Sequence, residues 1–188
     1  AKRVRDRHSR FLLTFVRRAE PVLVEADQAR WLTRMQSEHD NLRAALDDLQ
    51  ARDPLQYLQL AGALGWFWAA RSHFAEGVRR LEVGLGSVAE EGPRTARALT
   101  SLGMVHPDET ECLSRLEQAI ELWLEVGDET ELATARDGLG WTLYGCGEKS
   151  RALCVFEQNL ELARRLGYHA LASRSIAGVC QILVATGE

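Results

Sequence analysis

The string Ser37-Glu38-His39-Asp40 places a hydroxyl, two carboxylates and an imidazole in four consecutive positions. Those are the groups that nucleophilic or metal-assisted hydrolysis employs. On a helix, however, only residues three or four apart share a face, so four neighbours cannot converge on one substrate. Trp31, Glu38, Asp40, Asn41 and Arg43 read better as a structural motif, with Asp40 and Asn41 expected to hold a neighbouring helix end or loop. His106, Asp108, Glu109, Glu111 and Cys112 mix hard and soft ligands without the spacing of a known metal site. Helix capping already accounts for Asp108 and Glu111. His73 and Glu76 lack the second histidine of a zinc-protease pattern. Gly145-Cys146-Gly147-Glu148-Lys149-Ser150 has the composition of a phosphate loop, but Glu148 breaks the Gly-Lys-Ser order and no strand precedes it. No catalytic residue, metal site or cofactor is expected from these strings, and the chain is not expected to be an enzyme.

Binding is the chemistry better served. Trp66-Phe67-Trp68 are three successive residues, and Trp141 stands near Tyr144. Three successive helical residues span about 200°, so one of the three aromatics must lean away from the core. If the first helix of each helical pair lines a concave face, Trp66, Arg71, Arg136, Trp141, Tyr144, Arg174 and Gln181 would share a groove. Aromatic and arginine side chains together are what binding hot spots favour.

The elements that must carry this groove are helices. Val4, His8, Phe11, Leu12, Phe15, Val16 and Ala19 recur at three- and four-residue intervals, and Pro21 ends that pattern. A second helix is expected through Leu32, Met35, Leu42, Leu46 and Leu49. Asp53-Pro54 opens a third that runs to about Arg71, with an N-cap and a proline at the first helical position. A fourth follows from Phe74 to Val88, and Gly92-Pro93 breaks the chain. Asp108 with Glu111, and Asp128 with Glu131, have capping-box spacing, while Gly127 and Gly167 stand at helix C-caps. No run alternates with a period of two, so no sheet is expected.

Composition agrees. Of the 188 residues 46% are hydrophobic and 27% charged, which suits a folded chain with its own core. A net charge of −4 gives no general footprint for nucleic acid. The basic start (Lys2, Arg3, Arg5, Arg7, Arg10) is interleaved with Val4, Phe11, Leu12 and Phe15, as in an amphipathic helix. Cys112, Cys146, Cys154 and Cys180 form no CxxC pair and read as free, mostly buried thiols of a reducing, cytoplasmic setting. No apolar run approaches the ~20 residues of a membrane span.

The chain also repeats itself. Glu117-Gln118-Ala119-Ile120-Glu121-Leu122 returns as Glu157-Gln158-Asn159-Leu160-Glu161-Leu162, Gly127 as Gly167, and Gly147-Glu148 as Gly187-Glu188. The period is about 40 residues, one helix pair, and such a unit buries its apolar face only by stacking on neighbours. Gly103 and Gly140 follow leucines in the first helices, where close packing excludes a large side chain. These units resemble tetratricopeptide repeats in a long variant, the usual period being ~34. In the first half the ordered strings include Trp31-Leu32, Glu38-x-Asp40-Asn41-Leu42-Arg43-Ala44-Ala45-Leu46, Phe67-Trp68, Arg71-Ser72-His73 and Glu76-Gly77. They are similar to the helical region of large bacterial signal-transduction (STAND) ATPases, many of them LuxR-type or antibiotic-regulator-like transcription factors. Met35 and Arg80 depart from that pattern.

The resemblance implies an all-α, right-handed α-solenoid of about nine helices. Residues 1–50 would be an N-terminal helical pair, 51–92 a first repeat-like pair, and 93–188 tetratricopeptide-like repeats. Because Gly187-Glu188 matches the end of a first helix, the sequence reads as a segment of a longer array. The implied role is non-catalytic: a protein-interaction or signal-sensing arm of an ATP-dependent transcriptional regulator. Its partner would be a protein or a small-molecule effector, without direct nucleic-acid or membrane contact, and self-association is possible. A constitutive scaffold without sensing is the alternative.

Overall fold

The computed structural model describes residues 2–19, 28–89 and 91–187, and Pro21 lies outside them. Among the described residues there are eleven helices and no strand. The first six are α1 (Lys2–Ala19), α2 (Gln28–Ser37), α3 (His39–Arg52), α4 (Pro54–Ala63), α5 (Gly65–Ala70) and α6 (Phe74–Ser87). The remaining five are α7 (Pro93–Val105), α8 (Glu109–Val126), α9 (Glu129–Gly145), α10 (Lys149–Arg165) and α11 (His169–Thr186).

The count exceeds nine because two expected helices are interrupted. The second breaks at Glu38 and the third at Leu64, both near ψ = 0 (3° and −2°). At the second break the cause lies in another helix. The Ser101 hydroxyl of α7 donates to the Gly62 carbonyl (2.7 Å), and Leu64 N–H turns back to the Ala61 carbonyl (3.0 Å). The Ser101 side chain occupies the space a Cβ on Gly65 would need.

Local signals fix several other helix ends. Asp108 Oδ1 accepts from the Thr110 and Glu111 N–H groups (2.8 and 3.2 Å). Asp128 Oδ1 does the same for Thr130 and Glu131 (3.1 Å each). In place of the reciprocal half of a capping box, Glu111 turns to Arg115 (3.0 Å) and Glu131 to Arg97 on α7. Gly127 and Gly167 adopt left-handed φ of 77° and 68°, as helix C-caps require.

Helices α4 and α5, then α7, α9 and α11, form one row in which each member touches the next. Helices α6, α8 and α10 pack against the row members that flank them in sequence. The buried core along this row falls into three clusters. One cluster runs from Leu12 to Val105, a second joins Ala96 to Leu171, and a third joins Leu116 to Ile182. Of Trp66-Phe67-Trp68, Phe67 and Trp68 are buried and Trp66 leans out, as the helical geometry demanded. The cysteines differ from expectation: only Cys112 is buried, while Cys154 and Cys180 are exposed on outward helix faces.

Small residues set how closely the row packs. Phe156 of α10 fits between Gly140 of α9 and Gly178 of α11, and a Cβ on Gly178 would stand 2.5 Å from its ring. Gly178→Val is expected to destabilise the fold by about 1–3 kcal/mol through overpacking, read as a lower thermal midpoint. Gly86→Ala, on α6 with nothing within 4 Å of its Cβ position, is expected to raise that midpoint by the helix propensity gained.

Candidate functional site

The row leaves a groove of about 390 Å³ along α5, α7, α8, α9 and α11. On α9 its wall is the stripe Asp137, Gly138, Trp141, Thr142 and Gly145, positions that share a face at helical spacing. Trp66 and Ala69 come from α5, Gly103 and Met104 from α7, and Arg174 from α11.

At its centre Arg174 reaches across the row. Its guanidinium lies 5.1 Å from the Trp66 ring centroid and 5.9 Å from that of Trp141. Its Nε donates to Asp137 Oδ2 (2.9 Å), and its Nη2 lies 2.7 Å from the same oxygen in the ion pair. Asp137 is only 1% exposed, and burial pushes its carboxyl upward, against the opposing pull of the Arg174 charge and of the Trp141 indole N–H. Asp137 Oδ1 and Trp141 Nε1 are buried and neither makes a hydrogen bond of normal geometry. A cation held by two indoles and one carboxylate is positioned before any ligand arrives.

Three of the seven expected groove residues therefore meet: Trp66, Trp141 and Arg174. Tyr144 packs edge-on against Trp141 (6.2 Å between centroids) and supports it from outside the groove lining. Arg71 caps α5 and points the other way, to Thr33 Oγ1 on α2 (3.5 Å). Arg136 and Gln181 are not in the lining. Arg136 lies about 100° around the helix from Asp137, and Gln181 is two turns beyond Arg174. Asp137, which organises the site, was not foreseen. Its one signal was an acidic residue at a helix position otherwise surrounded by Ala133, Gly138 and Gly140.

The Ser37–Asp40 string resolves into a different arrangement. Asn41 Nδ2 donates to Glu38 Oε2 (2.7 Å) at the α2–α3 junction, and Asp40 is exposed beside Arg43 (3.7 Å). Asn41 thus bonds the turn at the end of α2, while Asp40 holds no helix end or loop among the described residues. The anchors are His39 and Arg43, both aimed at Glu76 of α6. His39 Nε2 lies 3.1 Å from Glu76 Oε2, and Arg43 donates to both Glu76 oxygens at 2.9 and 2.7 Å. The His73 ring lies 4.6 Å from that of His39, and Phe67 packs edge-on against His39. Trp31 stacks on Phe15 (5.7 Å). Around the irregular turn, His106 Nδ1 accepts from the Asp108 N–H (3.1 Å), a local structural bond. Among the described residues no group of three His, Cys, Asp or Glu could hold a metal ion. No described helix is long and apolar enough to cross a membrane.

In comparison with known proteins, no family model and no curated sequence matches the chain.

Two titrations follow. Burial lowers the His39 pKa from 6.5, and Arg43 and His73 add to that against the pull of Glu76. The unfolded chain therefore takes up this proton first. Stability should fall as pH drops through 6.5 and stop falling below the folded value, and His39→Gln should remove that slope from urea midpoints measured across pH. Asp137 has the opposite sign. Its folded pKa is raised, so it withdraws stability as pH climbs from 3.8 through its folded value. Asp137→Asn should flatten this component. Arg174→Ala should extend it to higher pH and destabilise by up to about 3 kcal/mol at neutral pH, the lower end for breaking a buried pair whose cation is partly exposed.

Proposed function

We propose that the chain is a non-catalytic binding arm and that the groove centred on Arg174 is where it takes up its ligand or partner. The observation that carries this reading is the guanidinium held between Trp66 and Trp141 on a buried carboxylate, facing a cavity of small-molecule size. Aromatic and arginine groups fixed in place lose little entropy on binding, which is why such clusters dominate binding energy. Other titratable groups that suggested chemistry serve packing instead, with His39 and Arg43 holding Glu76 and Asp108 capping α8.

The further reading is that the row is a right-handed solenoid of tetratricopeptide-like pairs, acting as the sensor arm of a cytoplasmic, ATP-dependent transcriptional regulator of the signal-transduction ATPase kind. It is supported by the sequence period of about 40 residues, the glycines at the helix contacts, and the order of the strings from Trp31 to Gly77. In this role a small-molecule effector or protein seated in the groove favours one arrangement of α5, α9 and α11, and so biases the state of the attached modules.

Thermal unfolding of the chain against a metabolite library, with Trp66→Ala alongside, tests the reading. A compound at a hundred times its Kd should add about 2.7 kcal/mol to stability, seen as a midpoint shift that disappears in Trp66→Ala. A shift equal in both proteins would place the ligand elsewhere. A library without any shift would favour the constitutive scaffold.

A further inference from the structure

At the other end of the molecule α1 and α2 enclose a cavity of about 470 Å³. Four arginines line it: Arg7, Arg10 and Arg18 from α1, and Arg34 from α2. All four are exposed. Arg7, Arg10 and Arg18 recur at spacings of three and eight, so they share one face of α1. Elsewhere several arginines settle on carboxylates, as Arg43 does on Glu76, Arg80 on Asp47 and Arg174 on Asp137. Among the described residues these four have no acidic partner, and no described acidic residue lines the cavity. In a chain with net charge −4, four arginines without an acidic partner among the described residues stand out as a local anion site.

The cavity is also aromatic. Arg34 stacks over Trp31 and Phe15, its guanidinium carbon 4.7 and 5.4 Å from the two ring centroids. The rings hold that fork in one orientation, and none of its N–H groups is used within the described residues. Phe11 contributes an open ring face and is 63% exposed. Guanidinium forks match phosphate oxygens in pairs. Exposed aromatic faces and arginine planes stack on flat heterocycles. The size is that of a small-molecule site.

We propose that this cavity binds a small molecule of the nucleoside polyphosphate class, its phosphates on the arginines and its ring against Phe11. The site is separate from the Arg174 groove and does not depend on the function assigned to it. The deciding measurement is calorimetric titration of the full chain with ATP, inorganic pyrophosphate and adenosine, for the parent and for Arg34→Gln, Phe11→Ala and Trp141→Ala. Both Arg34 and Phe11 are exposed, and thermal melts will verify that those variants fold; Arg10→Gln is the second charge variant. The expected result is one ATP per chain, weakened at least tenfold by Arg34→Gln or Arg10→Gln and at least threefold by Phe11→Ala. Trp141→Ala should leave it unchanged. Pyrophosphate should bind more weakly than ATP and ignore Phe11→Ala, and adenosine alone should give no saturable heat. Absence of saturable ATP binding overturns the proposal. So does pyrophosphate binding as tightly as ATP, which would make the cavity a plain anion patch. A single-stranded oligonucleotide that displaces ATP and binds more tightly per site would replace it with a nucleic-acid surface.

Discussion

How closely two helices can approach is the constraint on which the rest of this structure depends. Along the row from α4 to α11 the contacts are made where a side chain is missing or small: Gly62 against Ala98, Gly65 against Ser101, Gly103 against Leu116, and Gly140 and Gly178 on either side of Phe156. Interiors pack at crystal-like density, so one methylene at such a point displaces a neighbour. The tight approach does two things at once. It buries the leucines and the rings of Phe67, Trp68 and Phe156, and it brings α5, α9 and α11 near enough for one side chain to span them.

That spanning contact explains how a charge can be tolerated inside. Asp137 is buried on a helix whose neighbouring faces are apolar, and an unpaired carboxylate there would be strongly unfavourable. Arg174 supplies the counter-charge from the next helix along the row, and both indole rings lie within 6 Å of the cation. The Glu76 cluster solves the same problem at the α3–α6 contact. There burial would push Glu76 upward, and the Arg43 hydrogen bonds with the His39 and Arg43 charges hold it below its ordinary value instead. In both places an arginine carried on one helix stabilises an acid on another, so these ion pairs specify which helices meet.

What was legible in the sequence was local. Capping by Asp108 and Asp128, left-handed Gly127 and Gly167, and the outward lean of one member of Trp66-Phe67-Trp68 depend on residues within a turn or two. The helix break at Leu64 was not legible, because the hydroxyl that stabilises it belongs to Ser101 in another helix. For the same reason Asp137 passed unnoticed: its partner is 37 residues away. Arg71 and Arg136 were chosen by helix rather than by angle about the helix, and small errors of phase on a 100° step put a side chain on the wrong side; Gln181 shares the face of Arg174 but lies two turns farther along α11. Within the Glu38–Arg43 string, His39 and Arg43 are the members that bond another helix. Which of its members would reach across to α6 depended on the small turn at Glu38, which rotates α3 relative to α2.

Arg174 touches Trp66 and Trp141 at once, yet among the described residues its side chain is bonded only to Asp137. The α9 contact is therefore a hinge pin, and the α5 contact is a latch held by stacking alone. A change in the angle between α5 and α11 would slide the guanidinium off Trp66 while its ion pair survived. If the groove takes up a ligand as proposed above, that ligand would meet a stacked contact on one side and an ion pair on the other, and the stacked contact is the weaker of the two.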